Sequence, residues 1–172
     1  MGILALSGIF VEPYKTNNSM EKTLVILKPC TIQRGLIGEI ISRFEKKGLI
    51  LCGMKMIWLT DDILSEHYAH LRERSFFQRV KDAMAVCPVI VCCWEGVDAV
   101  QVVRTLAGAT NGRNAAPGTI RGDYSMSVQE NIVHASDSPE TAEIELKRFF
   151  NEDELFDYEM KNFLSLYAND EF

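Results

Sequence analysis

The chain has 172 residues, 47% hydrophobic and 24% charged, with a mean hydropathy of -0.01; this fits about one globular domain and excludes collagen, coiled coil and wholesale disorder. Eighteen Lys and Arg against twenty-four Asp and Glu give a formal charge of -6, so no global field holds a nucleic acid by counterion release. Any phosphate must be met by a local basic pocket.

Residues 1–19 end in the polar stretch KTNNS and precede the first strong patterning. They read as an N-terminal extension, disordered or added upstream of the domain, with the folded unit at 20–172. No apolar run reaches the roughly 18 residues that span a bilayer, and Leu6 stands where N-myristoylation requires Ser or Thr. Five cysteines without C-x-x-C spacing predict reduced, mostly buried thiols and a cytoplasmic location.

The run TLVIL at 23–27 is apolar on both faces and predicts a central strand ending at Lys28-Pro29. Leu36, Ile37, Ile40, Ile41 and Phe44 follow helical spacing, and Gly48 ends that helix. A second strand is expected at about 49–59. Thr60 or Asp61 caps a short helix through about His70, and a second helical piece covers about 76–85. Val89–Trp94 forms a strand closed by Glu95-Gly96, and a helix follows at about 97–107. The Gly- and Asn-rich stretch at 108–123 reads as one long functional loop. A last strand near 130–135 leads into a helix at about 139–149, whose start Asp137, Ser138 and Pro139 mark, Asp137 with Glu140 also fitting a capping box. This order predicts an α+β sandwich of the ferredoxin-like βαββαβ type, with a four-stranded antiparallel sheet and extra helices.

Among the three histidines, His134 stands between a strand and a helix N-terminus. Unpaired N–H groups and the positive dipole end favour phosphate and neutral imidazole there. Glu145 lies beside the apolar stripe of Ala142, Leu146 and Phe149, so its carboxylate needs a partner. If it accepts a proton from one nitrogen of His134, the other nitrogen is left to attack. Lys28, Arg74, Arg104 and Arg121 flank apolar elements and could converge on a polyphosphate. Neither a P-loop nor a G-x-G-x-x-G cradle is present. His67 and His70 share a helix face, but no third metal ligand follows at convincing spacing.

The motifs TLVILKP, QRGLIGEIISRFEKKG, EHY, RSFF, GATN, PGTIRGDY and NIVHASDS resemble those of nucleoside diphosphate kinases over about 22–165. The resemblance implies that His134 takes the γ-phosphate of a nucleoside triphosphate such as ATP and passes it to a diphosphate such as GDP, with ping-pong kinetics. Glu145, Lys28, Tyr68 and Ser136 match the catalytic group. Lys28, Arg74, Arg104, Thr110 and Arg121 match phosphate contacts, Asn131 and Lys28 the hold on the ribose, and Phe76 and Val80 the clamp on the base. Mg²⁺ would arrive with the nucleotide and have no dedicated protein cage, Asp137 being the nearest matching carboxylate. The family forms homo-oligomers, with a hexamer favoured here over a tetramer, and no membrane or specific nucleic-acid partner is implied. The chain departs from the pattern at Cys30 and Thr31, which replace Asp and Gly, and at Gly112, which replaces a proline and should loosen its loop. An inactive nucleotide-binding module and an RNA-binding domain are the alternatives; the complete catalytic set disfavours the first, and the acidic charge with no RNP1 pattern disfavours the second.

Overall fold

The computed structural model describes residues 20–160 and 165–168; the expectation for residues 1–19 lies outside them. In chain order the elements are β1 (Met20–Leu27), α1 (Pro29–Gln33), α2 (Ile37–Lys47), β2 (Ile50–Ile57), α3 (Asp61–His67), α4 (Phe77–Met84), β3 (Val89–Val97), α5 (Ala99–Ala107), α6 (Ile120–Tyr124), β4 (Val133–Ala135) and α7 (Pro139–Phe149). The strands form one antiparallel sheet in the order β2-β3-β1-β4, the order of the ferredoxin-like sandwich. No helix of the described residues is long and apolar enough to cross a membrane.

Strand β1 is central because Leu24 to Leu27 are fully buried on both faces. Val25 and Leu27 pack with Ile40, Phe44, Trp94 and Val103 beneath α2 and α5. Leu24 and Ile26 pack with Leu64, Met84, Leu146 and Phe149 beneath α3, α4 and α7. The Phe44 and Trp94 rings meet at 5.3 Å between centroids, a contact that contributes about 1 kcal/mol beyond its buried area. Gly48 ends α2 at φ 99, where its N–H reaches the Glu45 carbonyl.

Several boundaries differ from the sequence expectation. Strand β3 continues through Glu95-Gly96 to Val97 because Ile50, Glu21 and Met20 pair with those residues. Strand β4 starts only at Val133, since Ile132 has φ 73 and breaks the ladder. Helix α3 ends at His67, and a 3-10 turn at Ala69–Leu71 follows. Helix α6 lies in the stretch expected to be loop, and α1 in one for which no element is expected; at five residues each they are too short to show periodicity. The N-cap of α7 is Ser138, whose hydroxyl accepts from Thr141 N–H, rather than Asp137, whose carboxylate pairs with Arg104.

The loop around Gly112 is pinned rather than loosened. Gly112 N–H donates to the Ser127 carbonyl at 3.1 Å, and a Cβ at this position would come 2.3 Å from the Ser125 carbonyl oxygen. Restoring proline removes the donor and adds atoms where none fit. Gly112→Pro is therefore expected to lower stability by about 2–4 kcal/mol, read as a lower Tm in thermal unfolding; an unchanged or higher Tm would contradict the packing described.

Candidate active site

The register of β4 against β1 places His134 opposite Ile26, so its side chain shares the face covered by α3 and α7. From α7, Glu145 reaches that face at 5% exposure. Its Oε1 lies 2.9 Å from His134 Nε2, and its Oε2 accepts from the Ser136 hydroxyl at 2.6 Å. Burial alone would raise this carboxyl, but hydrogen bonds and charge from His134, the Ser136 hydroxyl and His67 together hold it below its usual value. Ser136 is itself fixed to β1, accepting from Leu24 N–H while its own N–H donates to the Leu24 carbonyl. An ionised carboxylate against Nε2 selects the Nε2–H tautomer of a neutral ring. Among the described residues, no hydrogen bond engages His134 Nδ1, and the side chain keeps 20% exposure.

The sequence reading weighed His67 only as a metal ligand, whereas the structure packs it against His134. The two rings meet edge to face at 4.5 Å, and His67 also meets Tyr68 at 4.7 Å and Phe149 at 5.3 Å. Burial, reinforced by the charge of a protonated His134, pushes His67 down to about 3, so it stays neutral at any ordinary pH. The Tyr68 hydroxyl is buried without a partner among the described residues, and burial followed by the Glu145 charge raises its pKa. His70, by contrast, is exposed and lies outside this cluster.

Toward the strand ends lies a basic shell. Lys28 Nζ donates to Asn131 Oδ1 at 2.6 Å and to the Gln129 carbonyl at 3.2 Å. Burial, then the nearby Arg121 charge, pushes Lys28 down to about 8. Arg121 donates to the carbonyls of Gly108, Val133 and Asn131, and burial followed by the Arg104 charge pushes it down to about 10. The Asn131 amide donates to the Thr110 carbonyl at 2.9 Å. Lys28, Thr110, Arg121 and Asn131 are thus drawn together through backbone carbonyls of the segments at 108–110 and 129–133, the second of which leads directly to His134. These cations repel one another, as groups assembled to receive an anion do.

Arg74 and Phe76 are exposed near the start of α4, and no hydrogen bond or ion pair to the described residues engages the Arg74 side chain. Val80 lines a small recess with Lys28, Gln129 and Glu130, which brings the α4 face to the edge of the basic shell. His67, His134 and Glu145 offer ligand atoms within 4.8 Å of one another. That imidazole-rich set suits a hard cation such as Mg²⁺ poorly. The role of the Gln129 carbonyl has no signal in the sequence, and that of His67, although EHY marks its neighbourhood, shows only once α3 lies beside β4.

The family model described as nucleoside diphosphate kinase matches residues 21–155. A curated nucleoside diphosphate kinase of Parabacteroides distasonis is 87% identical over 153 residues, covering 89% of this chain and 100% of the relative. One of Pyrococcus abyssi is 54% identical over 144 residues, covering 82% of this chain and 91% of the relative. The solved nucleoside diphosphate kinase of Halobacterium salinarum, in complex with CDP, superposes with a TM-score of 0.85 at 40% identity, covering 87% of this chain and 99% of that one. A match of this extent, on a fold that puts a carboxylate-bound histidine beside a basic shell, decides the matter: the chain belongs to the nucleoside diphosphate kinase family, enzymes that move the terminal phosphate of a nucleoside triphosphate to a nucleoside diphosphate.

Proposed function

We propose that His134 is the phosphoryl carrier of this kinase and that Nδ1 is the attacking atom. The observation that carries the reading is the 2.9 Å contact between Glu145 and His134 Nε2, which commits one ring nitrogen and leaves the other a lone pair. In the first half-reaction, Nδ1 forms a bond to the γ-phosphorus of a triphosphate such as ATP as the bond to the leaving diphosphate oxygen breaks. In the second, the terminal oxygen of another diphosphate such as GDP attacks the phosphohistidine and frees Nδ1. One site serves both, hence ping-pong kinetics.

Lys28, Arg121, Arg104, Arg74 and Thr110 are assigned to the phosphates, where fixed positive charge stabilises the transferring group. Lys28 and Asn131, joined at 2.6 Å, are assigned to the ribose hydroxyl. Phe76 and Val80 receive the base, an apolar contact indifferent to base identity. Tyr68 and Ser136 complete the catalytic group, with Ser136 acting through Glu145 as a positioning residue. Mg²⁺ bound to the phosphates would neutralise charge there, and Asp137, which now pairs with Arg104, is the nearest carboxylate of the family pattern. A homo-oligomer is supported by Met54, Met56 and Trp58, which are more than half exposed on and just beyond the edge strand β2; the preference for a hexamer over a tetramer rests on the family resemblance alone. Five unpaired cysteines support a reducing, cytoplasmic setting.

His134→Ala is expected to abolish transfer while retaining nucleotide binding, read by steady-state assay and by titration with a fluorescent diphosphate; retained transfer would overturn the reading. Glu145→Gln is expected to lower kcat by about a hundredfold because the charge that fixes the imidazole tautomer is lost; a kcat within twofold of the parent would remove Glu145 from the mechanism.

Lys28 supplies a pH signature. Its folded pKa lies below the unfolded value, so the free enzyme loses this cation as pH rises through about 8. The value of kcat/KM should then fall above about pH 8, with the matching decline in kcat displaced to higher pH because bound phosphate restores the proton. Folding stability moves the other way over that window, since the unfolded chain binds more protons there. A flat kcat/KM up to pH 10 would contradict the assignment.

A further inference from the structure

Thr31, one of the two residues at which the chain departs from the family pattern after Lys28-Pro29, meets the Ile132 carbonyl two residues before His134. Ile132 is a β-branched residue at φ 73, and Val133 N–H donates to the Asn131 carbonyl at 2.8 Å. Together these make a γ-turn of the rare, strained kind. Such a turn persists only where its surroundings over-determine it. Here the Ile132 carbonyl accepts from Lys28 N–H at 2.9 Å and from the Thr31 hydroxyl at 2.5 Å. Thr31 is fully buried and its own backbone is locked, its N–H donating to the Lys28 carbonyl and its carbonyl accepting from Leu36 N–H. Its hydroxyl is therefore a fixed post.

We infer that Thr31 is a positioning residue for phosphoryl transfer: its hydroxyl anchors the strained Ile132 turn and so sets where His134 presents its free nitrogen. Arg121, which donates to the Asn131 and Val133 carbonyls beside the turn, is held independently by the Gly108 carbonyl. The inference rests on His134 as carrier.

The test compares Thr31→Val, Thr31→Ala and Thr31→Ser by single-turnover phosphorylation of the enzyme with saturating labelled ATP, alongside the dissociation constant for ADP. Removing the hydroxyl should slow phosphorylation of His134 by about tenfold in Val and Ala and leave ADP affinity within about twofold, whereas Ser, which keeps the hydroxyl, should stay within about twofold of the parent on both. Should Val fail to fold, Ala against Ser decides the point. Parent-like phosphorylation in the hydroxyl-free variants, or a loss in Ser equal to that in Ala, overturns the inference. A parent enzyme that takes no label on His134 overturns the carrier assignment instead, so the two failures are distinguishable.

Discussion

A buried carboxylate is the constraint on which the rest depends. Glu145 enters an otherwise apolar layer from α7, and an ionised group there is tolerable only if its lone pairs are met. His134 and Ser136 meet them, and each is held by the pairing of the β4 segment with β1. The sheet thus supplies the partners, and the partners license the charge. The charge fixes the orientation and tautomer of the imidazole. The neutral His67 ring, packed edge-on against His134, fills the remaining side without adding a competing cation.

The second constraint is the repulsion among Lys28, Arg104 and Arg121 in a chain of formal charge -6. Lys28 and Arg121 are held by backbone carbonyls of Gly108, Gln129, Asn131 and Val133, whereas Arg104 pairs with the Asp137 carboxylate. Uncompensated positive charge is thereby stored at the strand ends, and a polyphosphate is the partner that relieves it. Strain in the Ile132 turn belongs to the same economy, since backbone bent to aim carbonyls and a histidine must be held in place by its neighbours.

Much of this was legible in the sequence, for specific reasons. The both-face apolarity of Leu24 to Leu27 could only be a central strand, and the amphipathic spacing from Leu36 to Phe44 could only be a helix packed on one face. Glu145 was visible because a carboxylate on an apolar stripe demands a partner. What stayed hidden depends on contacts distant in sequence. Gln129 acts through its carbonyl, which every residue has; His67 becomes informative only when α3 lies beside β4; and Gly112 matters because Ser125 occupies the space a side chain would need. Helices α1 and α6 were invisible for their brevity. Between Asp137 and Ser138, which have the same capping chemistry, only the backbone decides, and it puts Ser138 at the N-cap.

The claim that most needs confronting is the division of labour between the two nitrogens of His134. The full chain, labelled with ¹⁵N-histidine and phosphorylated by ATP and Mg²⁺ without acceptor, can be read by ³¹P–¹⁵N correlated NMR. A phosphorus coupled to Nδ1 of His134 is the expected result, since Glu145 holds Nε2. Phosphorus on Nε2, or on any residue other than His134, would contradict the account.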